Sequence, residues 1–149
     1  MAAVRTATVT WQGSLSEGDG TVSAGSSGLF TDLPVSWASR TEQPDGRTSP
    51  EELLAAAHAA CFAMAFSAEL GRAGHTPEEL HVEAEVTFDK LEGGWTVTAS
   101  ALTVLGHVHG ISADEFDRLA EAAKDGCPIS RALAGNVSLS VEATLDTDG

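Results

Sequence analysis

One long segment of the sequence has no polar face, and it restricts the fold more than any other feature. Residues 53–66 read LLAAAHAACFAMAF, in which His58 is the one strongly polar side chain. As a helix this segment is apolar on every side, and such a helix must be covered by protein all round. The run is too short to span a bilayer, which needs about 20 apolar residues. The segment therefore predicts a buried central helix.

The start and the end of this helix are marked by capping residues. Ser49 is suited to the N-cap, Pro50 to the first helical position, and Glu52 stands three residues after the cap. This combination is a capping-box pattern with proline in its preferred place. Gly71 or Gly74 is expected to end the helix.

The remaining segments show strand and helix patterns in alternation. Period-two alternation and turn residues predict short strands at 4–11, 21–24, 33–39, 81–89, 95–104 and 137–145, with 81–89 and 95–104 forming a hairpin. Capping residues and apolar stripes predict further helical pieces: a single turn at 76–80, an amphipathic helix from Ser112 to Gly126, and a short piece at 128–133. The order of elements indicates one α+β domain over residues 1–149.

The chain is strongly acidic, with a formal net charge of −14. Such a surface repels phosphate backbones and anionic lipids, so neither nucleic acid nor a membrane is expected as a partner. Apolar residues make up 42% of the chain, and the N-terminus lacks the pattern of a secretory signal. These features are typical of a globular cytoplasmic protein.

Cys61 lies near the middle of the apolar helix, among alanines. Burial in apolar surroundings raises the pKa of a thiol and makes it inert. A reactive Cys61 therefore needs a cation from elsewhere in the fold. Arg40 and Arg47 precede the helix and are the nearest candidates in sequence.

Cys127 has a different setting, after the helix-ending Gly126 and before Pro128. It fits an N-cap position, where backbone N–H groups favour a thiolate. Paired cysteines in a reducing compartment are more often redox-active than structural. A buried Cys61 and a junction-placed Cys127 match an attacking and a resolving thiol, and two inert core thiols are the alternative.

His58 stands three residues before Cys61, so the two share a helix face. A Cys–His pair is typical of a thiol hydrolase or acyltransferase, whereas a core histidine satisfied by a hydrogen bond is the plainer interpretation. A third interpretation is a carrier for small apolar ligands in which both cysteines are incidental. His107 and His109 fall on one strand face, but no further ligand is identifiable, so no metal or cofactor is expected.

Two motifs in this order resemble the osmotically inducible protein C family. Residues 48–62, TSPEELLAAAHAACF, match the central-helix signature, and residues 126–130, GCPIS, match the second-cysteine motif. The likeness extends over nearly the whole chain. Arg40 matches the arginine of the osmotically inducible branch. The sister branch, the organic hydroperoxide resistance proteins, carries its arginine in the N-terminal hairpin, which here reads Gly18-Asp19-Gly20.

The resemblance implies a peroxidase that reduces organic hydroperoxides in oxidative or osmotic stress defence. It implies an intertwined homodimer in which antiparallel sheets wrap two central helices. Cys61 is then the peroxidatic cysteine and Cys127 the resolving one, Arg40 activates the thiolate, and Glu51 holds this arginine. The resemblance also implies an external dithiol of lipoyl type as reductant. Apolar side chains near the site, expected from Trp37, Phe62 and Phe66, would favour alkyl or aryl peroxides.

The helix spacing adds a prediction about how the site is assembled. Glu51 and Cys61 are ten residues apart with neither proline nor glycine between them, which is about 15 Å along a helix. Glu51 therefore cannot reach Cys61 of its own chain, even through an arginine. An antiparallel second copy of the helix brings Glu51 of one chain close to Cys61 of the other. We expect two such composite sites in a homodimer, and the spacing does not decide which subunit supplies Arg40.

Overall fold

The computed structural model describes residues 1–146, which form two compact units, Met1–Leu53 and the chain from Leu54 onward. Whether residues 1–149 act as one domain stays a prediction. The fold class is confirmed as α+β. The first unit contains an antiparallel sheet in the order β1-β2-β3, built from β1 (Ala7–Gln12), β2 (Asp19–Ala24) and β3 (Leu33–Val35), followed by the helix α1 (Trp37–Thr41).

The strand expected at 33–39 is therefore wrong in its second half. Ser36 caps α1, because its hydroxyl accepts a hydrogen bond from the Ser39 backbone and the Ser39 hydroxyl accepts one from the Ser36 backbone, each at 3.1 Å. This reciprocal cap satisfies two backbone donors that a strand would have had to pair across a sheet. The cap turns the chain into a helix directly after Val35 and places Arg40 in the helical turn.

The first unit buries little of its apolar surface. Val22 is 5% exposed, whereas Val9, Leu15 and Leu29 are 61%, 60% and 86% exposed. Trp11 lies opposite Gly20 in the β1–β2 ladder, and a Cβ at Gly20 would come within 2.8 Å of the indole ring. The glycine is thus required by the close approach of the tryptophan.

The central helix, α2 (Pro50–Arg72), is one unbroken element of 23 residues. The Glu52 backbone donates to the Ser49 hydroxyl at 3.1 Å, as the capping pattern predicts. Gly74 adopts φ +89°, where the Gly74 and His75 N–H groups donate to carbonyls of the last turn. The whole helix is longer than its apolar core and, with a mean hydropathy of 1.6 over 18 residues, could cross a membrane by length and composition. The sequence expectation that this segment is too short to span a bilayer, made from residues 53–66 alone, is therefore wrong. Core helices of soluble proteins have the same length and composition.

The second unit contains a three-stranded sheet in the order β4-β5-β6, built from β4 (Glu79–Leu91), β5 (Gly94–His107) and β6 (Ser138–Leu145). The predicted β4–β5 hairpin is confirmed, and β4 alternates half-buried and exposed residues along its length. Two expectations are wrong. The turn at 76–80 is absent because β4 begins at Glu79, and β6 pairs with β5 in parallel, so this sheet is mixed and not antiparallel. A parallel neighbour needs a long crossover, and helices supply it here.

That crossover consists of α3 (Ala113–Gly126) and α4 (Pro128–Leu133). The Glu115 backbone donates to the Ser112 cap at 3.1 Å. The buried face of α3 is the predicted stripe of Phe116, Leu119, Ala120 and Ala123. It joins one face of α2 and the inner face of β5 in a continuous core, which contains Phe62, Phe66, Leu70, Leu102, Val104 and Val108.

Candidate active site

The two cysteines meet within the second unit. Both are free thiols, with Cys61 half-buried and Cys127 fully buried. Cys61 lies on α2, and Cys127 is the N-cap of α4, as the Gly-Cys-Pro pattern predicts. Their side chains hydrogen-bond to each other. The fold thus brings together two thiols that are far apart in sequence.

The shared hydrogen bond makes the two thiols unequal. Burial raises the pKa of Cys61, and the hydrogen bond with Cys127 raises it further, while the Ile129 backbone acts in the opposite direction. Burial also raises the pKa of Cys127, but the hydrogen bonds from Cys61 and from Ser130 outweigh it and lower the pKa overall. The Cys127 side chain forms no capping hydrogen bond at the start of α4. The backbone amides of Ile129 and Ser130 nevertheless lower the pKa of Cys127. Within this unit Cys127 is therefore the more acidic of the two thiols.

His58 is not paired with Cys61. Its Nδ1 lies 2.6 Å from the Ser100 hydroxyl and its Nε2 lies 2.8 Å from the Ser130 hydroxyl. Both ring nitrogens are thus occupied, so the arrangement does not supply the general base that a Cys61–His58 hydrolase would need. His58 and Ser100 are 0% exposed and Ser130 is 1% exposed, and burial lowers the pKa of His58.

Sequence analysis missed the two serines, although each left a signal. Ser100 stands in phase with Leu102 and Val104 on the inner face of β5, where a hydroxyl must find a buried partner. Ser130 stands three residues after the Cys127 cap, the position from which a side chain reaches back to the N-cap. In both cases the signal was a polar residue at a position where the local pattern places a buried side chain.

Arg40 and Glu51 form an ion pair in the first unit. The guanidinium Nε donates to both carboxylate oxygens, at 2.8 and 3.1 Å. The Glu51 side chain is 9% exposed and that of Arg40 is 30% exposed. The Arg40 guanidinium carbon also lies 5.8 Å from the centroid of the Trp37 ring, within cation–π range. These contacts fix the orientation of the arginine, whereas Arg47 is exposed.

A concave apolar surface adjoins Arg40 in the first unit. The cavity measures about 530 Å³ and is lined mainly by apolar side chains, with Ser36 and Arg40 as the polar ones: Val9, Trp11, Leu15, Val22, Val35, Ser36, Trp37, Arg40, Pro50 and Leu53. Of the aromatic residues expected beside the site, Trp37 is therefore placed next to Arg40. Phe62 and Phe66 are not available to a ligand, because both are 0% exposed within the core of the second unit.

His107 and His109 lie beside separate carboxylates. His107 Nε2 lies 3.4 Å from Asp146, and His109 Nε2 lies 2.7 Å from Glu78. Within residues 1–146 there is no group of three or more His, Cys, Asp or Glu side chains arranged to hold a metal ion.

The α+β fold, the long central helix and the two adjoining thiols define a protein with a paired-cysteine site. Comparison with known proteins identifies the family. Residues 43–142 match the model of the OsmC-like protein family. The chain is 43% identical to Peroxiredoxin OsmC of Escherichia coli over 87% of its length and 89% of that protein. It is 32% identical to the organic hydroperoxide resistance protein OhrA of Bacillus subtilis, over 76% and 79% of the two chains.

Solved structures show the same relationship. The crystal structure of the organic hydroperoxide resistance protein OhrB of Bacillus subtilis is similar with a TM-score of 0.70 and 26% identity, covering 93% of this chain and 98% of that one. This chain belongs to the OsmC-like family. The higher identity to OsmC than to OhrA agrees with the branch inferred from the position of Arg40.

Proposed function

We propose that this protein is a thiol-dependent peroxidase that reduces organic hydroperoxides to alcohols. The observation that carries the proposal is the hydrogen bond between Cys61 and Cys127, since two adjoining thiols are what a peroxidatic and a resolving cysteine require. The names of the relatives support the chemistry, since they include a peroxiredoxin and organic hydroperoxide resistance proteins.

In the first step the Cys61 thiolate attacks the distal oxygen of the hydroperoxide. The O–O bond breaks, the alkoxide takes up a proton and leaves as the alcohol, and Cys61 becomes a sulfenic acid. In the second step the Cys127 thiolate attacks the Cys61 sulfur, and the hydroxyl group leaves as water after gaining a proton. The resulting disulfide is reduced by an external dithiol, which restores both thiols. The cycle needs no cofactor.

Arg40 supplies the positive charge that makes Cys61 a thiolate. Burial raises the pKa of Cys61, so the thiol needs a nearby cation to react at neutral pH. Arg40 is the better candidate than Arg47 because the carboxylate of Glu51 holds its Nε and the Trp37 ring lies against it. Glu51 is thus a positioning residue for the arginine.

The site is composite, with Cys61 and Cys127 from one subunit and Arg40 and Glu51 from the other. Glu51 and Cys61 lie on one unbroken helix, which separates them by about 15 Å along its axis. A two-fold axis near residue 56 of an antiparallel helix pair removes this separation. Because Arg40 is bonded to Glu51 of its own chain, the arginine belongs to the same subunit as the glutamate.

The surface of α2 supports such a homodimer. The face opposite the core exposes small and apolar side chains four residues apart, Ala56, Ala60, Met64 and Ala68, and Met64 is 74% exposed. Small residues in this spacing let two helices approach closely. Exposed apolar residues of the first unit, Val9, Trp11, Leu15 and Leu29, provide further surface for a second copy to cover.

The cavity beside Arg40 indicates the substrate class. Its apolar lining suits the alkyl or aryl group of an organic hydroperoxide better than hydrogen peroxide, which has no apolar part to bury. A reducing compartment is required to keep both thiols cycling, so the cytoplasm is the proposed location and a lipoyl-type dithiol the proposed reductant.

Single cysteine variants test the function directly. Cys61→Ser is expected to abolish consumption of cumene hydroperoxide, and Cys127→Ser to allow about one turnover before stalling at the sulfenic acid. Mass spectrometry after one equivalent of peroxide should show a Cys61–Cys127 disulfide in the unmodified protein. If both thiols stay reduced while the protein is folded, the peroxidase assignment is wrong.

A further inference from the structure

A buried chain of hydrogen bonds leads from the interior of the second unit to the resolving cysteine. Ser100 bonds to His58 Nδ1 and His58 Nε2 bonds to Ser130. Ser130 occupies the third position of α4, one turn after Cys127 at the cap, and its hydroxyl lowers the pKa of that cysteine. All four residues are at most 1% exposed, and the peroxidase cycle described above gives His58 no task.

The chain has a direction because His58 is a neutral imidazole, with one nitrogen that donates and one that accepts. Burial lowers the pKa of this histidine, so the neutral form is the one present at physiological pH. If Nδ1 accepts from the Ser100 hydroxyl, then Nε2–H donates to the Ser130 oxygen. The Ser130 hydroxyl hydrogen is then left to point at the Cys127 sulfur, which suits a thiolate. In the opposite tautomer the Ser130 hydroxyl donates to Nε2 and can only accept from a Cys127 thiol.

We propose that His58 and Ser130 form a relay that holds Cys127 as the thiolate that resolves the Cys61 sulfenic acid, an inference that rests on the proposed peroxidase function. His58 acts as a positioning residue: in the tautomer whose Nδ1 accepts from Ser100, its Nε2–H holds the Ser130 hydroxyl as a donor to the sulfur. The relay moves no net proton. In the resolving step the Cys127 sulfur forms the S–S bond and the S–O bond of the sulfenic acid breaks. The departing hydroxyl group leaves as water, with the proton that Cys127 released to the solvent when it became a thiolate.

The relay matters most after Cys61 has been oxidised. In the reduced protein the Cys61 thiol donates to Cys127 and helps to lower its pKa. That S–H is gone once Cys61 is a sulfenic acid. Within residues 1–146, the other groups that lower the pKa of Cys127 are the Ser130 hydroxyl and the amides of Ile129 and Ser130. Ser130 is thus the one side-chain hydroxyl among these remaining donors.

The test titrates Cys127 by the ultraviolet absorbance of its thiolate in a Cys61→Ala background, which needs no peroxide. Ser130→Ala should raise the pKa of Cys127 by about one unit, because a hydrogen bond to the charged form is lost. His58→Leu should raise it in the same direction, and His58→Gln should restore part of the shift, since an amide N–H can donate to Ser130. Ser140→Ala, which removes an exposed hydroxyl from β6, is the matched control and should change nothing.

The same substitutions are then followed by stopped flow in the chain that keeps both cysteines. Ser130→Ala should not slow sulfenic acid formation from cumene hydroperoxide, but it should slow disulfide formation by about tenfold at neutral pH, because one pKa unit is a tenfold change in thiolate. The slowed step should recover as the pH is raised. A merely structural role for Ser130 would not produce this recovery.

Two results separate the relay from the peroxidase assignment. If Ser130→Ala alters neither the titration of Cys127 nor the rate of disulfide formation, the relay is wrong and the peroxidase function stands. If the titration shifts as expected but the protein consumes no hydroperoxide, the hydrogen-bonded control of Cys127 is supported and the proposed function is wrong. Because Ser130→Ala changes little volume, the outcome does not depend on whether His58→Leu folds.

Discussion

The two units of the chain bury their polar and apolar groups in opposite ways. In the second unit Phe62, Phe66 and Phe116 are fully buried, and His58 has a hydroxyl on each ring nitrogen. In the first unit the buried charged group is the Glu51 carboxylate, which forms an ion pair with Arg40. Its strand β1 is exposed along its whole length on both faces.

The difference indicates which part of the molecule completes itself and which part needs a second surface. A sheet of three short strands whose outer strand is exposed on both faces is marginal on its own. A unit with a continuous core and hydrogen-bonded buried polar groups is not marginal in this way. The proposed homodimer accounts for both, because it covers the first unit and brings its arginine to the thiols of another subunit. The experiments that follow test whether the first unit of one subunit acts on the thiols in the second unit of the other.

The largest effect is expected from the arginine of the first unit. Arg40→Ala should slow the reaction of Cys61 with cumene hydroperoxide by about two orders of magnitude at neutral pH, since a neighbouring opposite charge shifts a pKa by about 1–3 units. The rate should recover as the pH rises and the thiol ionises without help. Alkylation of Cys61 against pH measures the shift directly.

Arg47→Ala is the matched control, because Arg47 precedes the same helix but is exposed. It should leave both the rate and the alkylation profile unchanged. A larger effect from Arg47 than from Arg40 would mean that the wrong arginine has been assigned. Because Arg40→Ala leaves the buried Glu51 carboxylate without its ion-pair partner, urea unfolding must establish that this variant is folded under the assay conditions.

Mixing inactive chains tests whether the units work across subunits. Cys61→Ser chains co-expressed with Glu51→Ala chains should recover about a quarter of the normal activity, because half the dimers are mixed and each has one intact site. Replacing Glu51→Ala by Arg40→Ala should give the same recovery if the arginine and the glutamate come from one subunit. Each variant must be inactive alone, which steady-state assays establish first.

The control mixture combines Cys61→Ser with Cys127→Ser chains. Both cysteines are contributed by the second unit of one chain, so no mixed dimer contains a complete pair and catalytic turnover should stay absent. If the Cys61→Ser and Glu51→Ala mixture also stays inactive although mixed dimers form, the site is built within one chain. The helix-spacing argument would then be wrong.

Local patterns predicted the parts of this structure that local physics decides. The capping of α2 at Ser49 and the buried stripe of α3 were correct because each depends on residues within one or two turns. The same logic failed at Trp37–Ser39, where an apolar-polar alternation was outweighed by the reciprocal cap of Ser36 and Ser39. A strand pattern of three or four residues is too short to compete with such a cap.

Long-range pairing left no local pattern to follow. The parallel pairing of β5 and β6 depends on how two helices cross over between them. The alternation of residues 137–145 is the same for a parallel and an antiparallel strand, so it could not predict the direction. The site shows the same limit. The resemblance supplied Cys61, Cys127, Arg40 and Glu51, but the partners of His58 come from β5 and α4, far away in sequence.

The smallest effect concerns the stability of the second unit in acid. Burial lowers the pKa of His58 in the folded protein, whereas in the unfolded chain it is about 6.5. Between these two values the unfolded state binds more protons, so the free energy of unfolding falls as the pH drops below about 6.5, by at most about 1.4 kcal/mol per pH unit. Below the folded-state pKa this contribution becomes constant. Urea unfolding at fixed protein concentration, from about pH 7.5 to pH 5, should show the slope. His58→Gln should flatten it, because the amide keeps a donor and an acceptor but does not titrate. His81→Gln, at an exposed position on β4, should retain it. Parallel curves for the unmodified protein and His58→Gln would mean that the buried imidazole tolerates a proton, which would contradict the neutral histidine on which the contrast between the two units depends.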